Sequence, residues 1–562
     1  MLEKTLVAVL PFIVVLTIGA VFVGRYLARV FQGQHTFLTP IVGGVERGLL
    51  RIFGVRQDEE QTWKQYAVSL LLFNALGLCF LFILQLLQQW LPGNPQHLGA
   101  VRLDTAFNAA VSFMTNTNWQ SYSGETTMSY LTQMLGMTVQ NFLSAATGIS
   151  VAIALVRGFV RRSTNSIGCF WVDLTRALVY VLLPMALVLS LVLVSQGTVQ
   201  TLRPTVALTT LEGQAQRIAV GPAASQVAIK HVGTNGGGFF NANAAHPFES
   251  PNPFTDLLLV FSLLLIPAAL PFTFGEMLGD RKQGTALFLA MLIMFSIGLG
   301  ISLHYELAGN PALAQAGVAG GVNMEGKEQR FGPIMSTLFA QSTTVTSTGA
   351  VDSMHDSFTP IPGLIMVFNM TVGEVIFGGV GVGLVGMLLY VVLTLFIVGL
   401  MIGRTPEYLG KKLEPREMLM AVVGLLGPPI AMLLMAGLAF SIPSAVASAA
   451  NTGSHGMTEI IYACASAAGN NGSAFAGLNA NTPFYNVGLA LLMLVGRFAT
   501  ILPGLAIAGS VAAKKRVQSG VTFSTTSTLF VFMLIFVVTI VGGLTYFSPL
   551  VLGPLLEFLK LR

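Results

Sequence analysis

Apolar runs long enough to cross a membrane recur along the chain, and shorter apolar runs lie between them. A spanning helix needs about 20 apolar residues. Ten runs reach that length: Thr5–Ala28, Gln65–Trp90, Tyr130–Val156, Leu174–Val194, Phe254–Leu278, Ala286–Leu307, Ile361–Ile402, Met418–Phe440, Val487–Val511 and Leu529–Tyr546. Four runs are too short to cross: Thr105–Met114, Ala223–Val232, Pro333–Thr346 and Thr458–Ala468. The pattern predicts an all-α integral membrane protein with ten transmembrane helices and four half-length helices.

A small, polar, uncharged loop follows each short run. The four loops are TNTNWQS (Thr115–Ser121), TNGGGFFNAN (Thr234–Asn243), STGAV (Ser347–Val351) and GNNGSAFAG (Gly469–Gly477). Their central residues, Thr117, Asn235, Thr348 and Asn471, follow one another at steps of 118, 113 and 123 residues. Such regular spacing is typical of internal repeats. We therefore predict four pseudo-symmetric repeats, each a span, a pore helix, a re-entrant loop and a second span.

The repeats divide the chain into six segments. We expect an N-terminal transmembrane helix and cytoplasmic segment at 1–64 and a C-terminal transmembrane helix at 525–562. Between them, pore repeats are expected at 65–158, 173–280, 285–403 and 417–514.

The second span of the third repeat, Ile361–Ile402, is too long for one straight helix. Its 42 residues would extend about 63 Å, twice the hydrocarbon thickness. We expect a break at the glycine run that contains Gly378, Gly379, Gly381 and Gly383. One hypothesis is a loop beneath the four polar loops that blocks direct flow into the cytoplasm. The alternative is close helix packing through small residues.

Composition agrees with a membrane protein that has little soluble mass. The chain is 53% hydrophobic and 9% charged, with a mean hydropathy of +0.73, whereas soluble domains carry about 25% charged residues. The formal net charge of +5 gives no indication of nucleic-acid binding. No histidine or cysteine spacing typical of a transition-metal site is present.

The distribution of Lys and Arg predicts the orientation, because basic residues concentrate on the cytoplasmic side. Nineteen lie in connections on one side of the membrane and nine on the other. The nine are Lys4, Arg102, Arg203, Arg217, Lys230, Lys327, Arg330, Lys560 and Arg562. Both termini and all four loops are therefore predicted on the external face.

The loops offer neutral oxygens to an ion. A dehydrated monovalent cation needs several carbonyl or hydroxyl oxygens at fixed positions, and calcium and magnesium sites use carboxylates, which are absent here. The candidate potassium ligands are Asn116, Thr117, Asn118, Thr234, Asn235, Gly236, Ser347, Thr348, Gly349, Asn470, Asn471 and Gly472. The C-terminal ends of the preceding short helices would also favour a cation. The alternative for any single loop is an ordinary tight turn.

Charged residues within the apolar runs are few: Glu276, Glu374 and Arg497. Intramembrane charges are costly and indicate function. Glu374 and Arg497 are candidates to flank the pore beneath the loops, with a buried structural ion pair as the alternative. Glu276 lies near Asp280 and Arg281 and is predicted to be interfacial.

Four motifs carry a resemblance to a known family. They are TNTNWQSYSGE (Thr115–Glu125), GTNGGGFFNAN (Gly233–Asn243), GRTPEYLGKK (Gly403–Lys412) and NNGSAFAGL (Asn470–Leu478). Over essentially its whole length the chain resembles the potassium-binding A subunits of Kdp-type pumps, which are ATP-driven bacterial potassium importers. The first loop departs from fourfold symmetry, with Asn118 where the other three loops have glycine.

The resemblance implies a potassium-selecting subunit in a bacterial inner membrane. It implies delivery of the ion through an intramembrane tunnel to a separate P-type ATPase subunit (B), which carries ATP and magnesium. It also implies an accessory single-span C subunit and a small F peptide as partners. Gln120 matches a position close to the selectivity region, and Gly403–Met418 is either a docking segment or a solvated anchor.

Two other functions remain open. The first is a stand-alone potassium channel or ion-coupled carrier of the same architecture. The second is a membrane enzyme, but no nucleophile–base or metal arrangement supports it. The sequence has no DKTGT-like phosphorylation motif, so the chain is not expected to be the ATPase itself.

Overall fold

The computed structural model is mostly helical and describes residues 2–318, 321–516 and 523–561. Within that part, ten helices are long and apolar enough to cross a membrane. We number them spans 1 to 10: Leu2–Phe31, Trp63–Trp90, Thr132–Val160, Phe170–Ser195, Pro253–Leu278, Arg281–Ala308, Val382–Ile402, Pro415–Ser441, Pro483–Ala513 and Thr528–Thr545. Arg562, one of the predicted external basic residues and the end of the segment 525–562, lies outside the described residues.

Four shorter helices occupy the predicted positions between pairs of spans. Pore helices 1 to 4 are Leu103–Met114, Ala223–Val232, Gly332–Val345 and Gly453–Gly469. The second has the predicted bounds, and the others begin one to five residues earlier than predicted. The order span, pore helix, loop, span occurs four times. The prediction of a ten-span α-helical membrane protein with four repeats is therefore confirmed.

The third repeat differs from the others because its second span is interrupted. One helix covers Pro360–Thr371, and span 7 resumes at Val382. We call residues 372–381 between them the crossing loop. The break begins earlier than the predicted glycine run, since Gly373 (φ +80°) and Glu374 (φ +48°) already leave the helical conformation. Gly383, expected in the break, lies instead in the first turn of span 7.

Several elements were not predicted, most of them because they are too short to show a period; the longer amphipathic helix Thr39–Ile52 contains charged residues and lies outside every apolar run. They include helices Thr39–Ile52, Gly124–Thr127, Pro311–Gln315, Pro443–Val446, Phe547–Leu550 and Leu556–Lys560. The 3-10 turns are Gln88–Trp90, Asn243–Ala245 and His355–Ser357, and π-helical turns cover Thr132–Thr138, Ala177–Leu182 and Val551–Leu555. Three antiparallel strand pairs join Gln61–Thr62 to Ser166–Gly168, Val206–Thr209 to Ala215–Ile218, and Glu407–Tyr408 to Lys411–Lys412.

Burial separates central spans from peripheral ones. In the most apolar window of each helix, 89% of span 3 and 78% of span 5 is buried, against 28% of span 2 and 44% of span 4. The peripheral helices expose large apolar side chains such as Phe22, Val68 and Leu191. Apolar surface on that scale suits contact with lipid rather than water. The second spans of the first two repeats therefore surround the centre, where the pore helices end.

The segment Gly403–Met418, predicted to be cytoplasmic, is attached to the bundle through Lys411. The Lys411 ammonium is buried and donates to the carbonyls of Gly158 and Val511 at 2.9 Å and also to that of Arg161. These carbonyls lie at the C-terminal ends of spans 3 and 9, where backbone acceptors lack helical partners. Lys411 therefore acts as an anchor, and residues 403–405 and 414–416 on either side of it are exposed.

Candidate functional site

The four polar loops leave their pore helices with the same hydrogen bond. In each loop the central residue donates its N–H to the carbonyl five residues earlier. The bonds are Thr117 to Ser112 (3.0 Å), Asn235 to Lys230 (2.8 Å), Thr348 to Thr343 (3.2 Å) and Asn471 to Ser466 (2.8 Å). Four unlike sequences thus adopt one backbone path at the C-terminal end of the pore helix.

The backbone conformation of the loops repeats as well. The residues before and after the central one have positive φ in every loop: Asn116 and Asn118, Thr234 and Gly236, Ser347 and Gly349, Asn470 and Gly472. The central residues do not. When residues with positive and negative φ alternate, the same backbone groups of neighbouring residues face one side of the chain. The loops are therefore built to present successive backbone groups to one centre.

The loops meet as a closed ring, which we call the loop ring and define by the twelve candidate ligands. At three junctions a glycine of one loop lies against the next loop. A Cβ atom on this glycine would overlap the carbonyl oxygen of the next loop's central residue. The pairs are Gly236 with Thr348, Gly349 with Asn471, and Gly472 with Thr117. The second loop thus touches the third, the third touches the fourth, and the fourth touches the first.

Asparagine side chains close the remaining junction, between the first and second loops. The Asn116 amide donates to the Thr234 carbonyl at 2.8 Å, and the Asn235 amide donates to Asn116 Oδ1 at 2.6 Å. Asn118, at the position of glycine in the other loops, donates to Asn141 Oδ1 at 2.7 Å. The ring is therefore complete, with one quadrant built from side chains instead of close backbone contact.

Gln120 fastens the first loop to the second. Its Oε1 accepts the N–H of Gly238 at 2.8 Å, and its Nε2 donates to the carbonyl of the same residue at 3.3 Å. A side-chain amide that binds both groups of one residue fixes that residue's position and orientation. Gln120 thus holds the outer end of the second loop.

The ring is enclosed and uncharged. Gly472 is partly buried, the other ring residues are buried, and none of the twelve carries a formal charge. Their carbonyl and hydroxyl oxygens are the ligands that a monovalent cation uses. The four pore helices end at the ring, so the partial negative charge of their C-terminal ends lies beside it. The arrangement is suited to hold a dehydrated cation without trapping it.

The crossing loop packs directly against the inner end of the ring. The Val380 N–H donates to Thr234 Oγ1 at 2.8 Å. A Cβ on Gly379 would lie 2.8 Å from Cβ of Ser347, and Gly381 lies against the backbone of Gly148 on span 3. Gly378 folds back onto the carbonyl of Glu374 within the loop. The glycines therefore allow backbone to pass close beneath the first residues of the polar loops.

Glu374 and Arg497 both lie near this region, but no ion pair within 4.0 Å joins them among the described residues. Arg497, on span 9, donates from Nη2 to the carbonyl of Ser144 at 3.0 Å. Glu374 is 1% exposed, and neither carboxylate oxygen has a hydrogen-bond partner in the described structure. The two charges do not form the structural ion pair that the sequence left open. Glu276 pairs instead with Arg25 and Arg281, at 3.2 and 2.8 Å.

A cavity of about 50 Å³ lies beside the crossing loop. It is lined by the ring residues Ser347 and Asn470, by Glu374 and Gly379, and by Pro428 and Pro429 of span 8. This volume holds a few water molecules or one ion. The cavity extends between these ring residues and span 8.

Two groups of supporting residues were missed in the sequence. Asn141 and Ser144 of span 3 hold the first and second loops, with the Ser144 hydroxyl donating to Asn116 Oδ1 at 2.8 Å. A single polar residue in an apolar span gives no signal of its partner. Lys230 and Glu249 form a buried ion pair at 2.5 Å beside the second loop, although Lys230 was predicted only as a basic residue of the external side.

Comparison with known proteins agrees with this architecture. A family model described as the potassium-transporting ATPase A subunit matches residues 10–559. Three relatives bear the name potassium-transporting ATPase potassium-binding subunit. One from Mesorhizobium japonicum is 56% identical over 539 residues, which is 96% of this chain and 95% of the relative. One from Rhodospirillum centenum is 54% identical, covering 100% and 98%, and one from Pseudomonas entomophila is 52% identical, covering 98% of each. The chain therefore belongs to the family of potassium-transporting ATPase A subunits.

Proposed function

We propose that this chain is the potassium-binding, potassium-selecting subunit of an ATP-driven potassium importer. The observation that carries the proposal is the closed loop ring: four uncharged loops with one backbone path meet at one centre. In this proposal the twelve ring residues bind potassium through backbone and hydroxyl oxygens. The names of the relatives support potassium as the ion.

Selection for potassium follows from neutral oxygens held at fixed positions. A carboxylate in the ring would favour a divalent cation, and none is present. Replacement of a hydration shell by carbonyl oxygens favours the ion whose dehydration is matched by those oxygens. The hydrogen bonds of Asn116, Asn235 and Gln120 keep the oxygens in place.

The path after the ring turns sideways in this proposal. The crossing loop lies across the inner end of the ring, and the adjoining cavity extends between ring residues and span 8. The ion then passes through an intramembrane tunnel to the B subunit, a P-type ATPase that hydrolyses ATP with magnesium. Glu374 lines the cavity and attracts the ion, while Arg497 repels cations from a direct route.

The assembly and its location are also part of the proposal. We place the chain in the inner membrane of a bacterium, with both termini outside and with the C subunit and a small F peptide as further partners. The exposed residues 403–405 and 414–416 are the docking candidates on the cytoplasmic side. The excess of basic residues on that side supports the orientation.

Removal of the ATPase partner tests the proposal against a self-sufficient channel or carrier. Uptake of radioactive rubidium into proteoliposomes is measured with the complete complex and with this chain alone. We expect ATP-dependent uptake by the complex and none by the chain alone. Uptake by the chain alone, driven by a potassium gradient, would instead show a channel or carrier.

A further inference from the structure

The second polar loop is the least self-supporting of the four. It contains three consecutive glycines, Gly236 to Gly238, and no other ring loop has two in a row. Glycine populates positive and negative φ about equally, so such a run has no preferred path of its own. Gly236 and Gly237 have φ values of +79° and +66°. Contacts from outside the run must therefore hold its geometry.

A buried ion pair supplies such contacts. Lys230 Nζ lies 2.5 Å from Glu249 Oε2, and both side chains have no exposed surface. The ammonium also donates to Asn243 Oδ1 at 3.1 Å, and Glu249 Oε1 accepts the N–H of Phe240 at 3.1 Å. Buried charges on this scale are stable only when paired and hydrogen-bonded, as these are.

The ion pair lies at the outer end of the glycine run. At the inner end only the Lys230 backbone takes part: its carbonyl accepts the N–H of Asn235 at 2.8 Å, the bond common to all four loops, and that of Gly236 at 3.4 Å. At the outer end, a Cβ on Gly238 would lie 2.9 Å from Glu249 Oε1 and 3.0 Å from Lys230 Nζ. Gln120 binds Gly238 from the opposite side. Gly238 therefore lies between Gln120 on one side and the ion pair on the other.

We call the Lys230–Glu249 ion pair the brace. The position of Lys230 holds a charged residue in the second repeat only. The residues equivalent to Lys230, five before each central residue, are Ser112, Thr343 and Ser466. Their side chains carry no charge. The charged pair thus coincides with the one loop that has a glycine triplet.

We propose that Lys230 and Glu249 are positioning residues for ion selection: together they hold the glycine triplet of the second loop in its place in the ring. This proposal rests on the proposed potassium function. Neither side chain touches the ion; the pair acts through Gly238 and Phe240. Loss of the pair loosens one quadrant of the ring, which weakens the match to potassium while transport of a bound ion continues.

The test replaces both charges, so that no unpaired charge is left buried. The complete pump with Lys230→Met and Glu249→Gln is assayed for ATP hydrolysis over a range of potassium and rubidium concentrations. We expect the KM for potassium to rise about tenfold, the effect of losing one charge-assisted hydrogen bond from a binding geometry. The ratio of the rubidium KM to the potassium KM falls, and kcat at saturating potassium stays within about twofold.

The chain offers a matched control in a second buried ion pair. Lys327 and Glu306 lie 2.8 Å apart with no exposed surface, and Glu306 accepts from Thr359 and Asn323, none of which is in the ring. The variant Lys327→Met with Glu306→Gln should keep both KM values. An equal KM shift in both variants, or an unchanged KM and ion ratio in the Lys230/Glu249 variant, overturns the proposal.

A milder variant decides the matter if the double variant does not assemble. Asn243→Gly removes one hydrogen bond to Lys230, and glycine accepts the φ of +52° at that position. We expect a rise of about twofold in the potassium KM; no change contradicts the brace. If the unaltered pump showed no dependence on potassium, the proposed function itself would fail, which is a separate outcome.

Discussion

Gly236 meets two separate constraints in the ring. Its φ of +79° is unfavourable for other L-residues, and a Cβ atom would overlap the carbonyl of Thr348. In an alanine variant, the positive φ would cost about 1 kcal/mol, and the overlap with Thr348 would push the second and third loops apart. Gly213, in the turn between the strands Val206–Thr209 and Ala215–Ile218, has the same φ of +79°, but a Cβ atom there would have no neighbour within 4 Å.

These two glycines separate the constraints in one experiment. We expect Gly236→Ala to raise the potassium KM of the complete pump by tenfold or more, since displacement of reacting or binding groups by about 1 Å has effects of up to a hundredfold. Gly213→Ala should cost only the backbone strain and leave the KM unchanged. A Gly236→Ala pump with the original KM would show that the second and third loops need not touch.

Glu374 is a second residue whose role is testable alone. Its carboxylate is buried without a hydrogen-bond partner in the described structure and lines the cavity beside the ring. Glu374→Gln keeps the size and removes the carboxyl group, whose ionised form would attract the ion after the ring. We expect kcat to fall about tenfold or more, with little change in the potassium KM, in ATPase assays of the complex. A fall in affinity with kcat unchanged would place Glu374 in the binding site instead.

At the scale of elements, the proposed role of the crossing loop is to prevent a potassium leak. Its backbone bonds to Thr234 and packs on Ser347 and Gly148. Deletion of residues 378–380 should open a direct route and give potassium efflux from proteoliposomes without ATP. Deletion of residues 212–214 from the exposed strand turn is the control and should leave the vesicles tight. Tight vesicles with both deletions would favour a packing role for the glycines.

The C-terminal helix is pinned to pore helix 4 by a histidine. His455 Nδ1 lies 2.9 Å from Glu557 Oε1, and Nε2 lies 3.0 Å from Asp356 Oδ1. Hydrogen bonds to the carboxylates of Asp356 and Glu557 raise the pKa of His455 from 6.5 to about 10. Because the folded pKa is raised, the stabilisation is complete below pH 6.5 and is lost as the pH rises through about 10.

Hydrogen exchange measures this loss. After correction for the intrinsic rate, amide exchange in Leu556–Lys560 should accelerate between about pH 7 and about pH 10.5, on either side of the folded pKa. The His455→Gln variant should exchange fast at both pH values, because the imidazolium is absent. Equal protection of these amides across this pH range in the unaltered protein would show that the charged His455 does not hold the C-terminal helix in place.

Element prediction succeeded where length and hydropathy determine the structure. A run near 20 apolar residues crosses the membrane and a run near ten does not, so spans and pore helices followed from the sequence. The crossing loop was placed too late because Val372, Val375 and Ile376 are apolar. Hydropathy does not distinguish an apolar loop buried in protein from a helix, and the left-handed conformation of Glu374 and Phe377 gives no pattern.

At the scale of the whole molecule, the four loops form a pseudo-fourfold ring, but the residues that support the loops do not follow this symmetry. The same backbone hydrogen bond fixes the path of all four loops, but their supporting contacts differ. Asn141 of span 3 binds the first loop, the Lys230–Glu249 ion pair lies beside the second, and the crossing loop packs against the third. The repeat spacing predicted which residues would be equivalent. It did not predict contacts such as Lys230 with Glu249, because the spacing of repeats does not indicate which side chains meet in the folded chain.

The central claim is that one ion is held where the four loops meet. The most direct measurement is a high-resolution map of the complete complex with rubidium in place of potassium, using anomalous scattering to locate the ion. The account predicts a peak at the centre of the ring, within coordination distance of oxygens of Thr117, Asn235, Thr348 and Asn471. A peak elsewhere, with the ring centre empty, would contradict it.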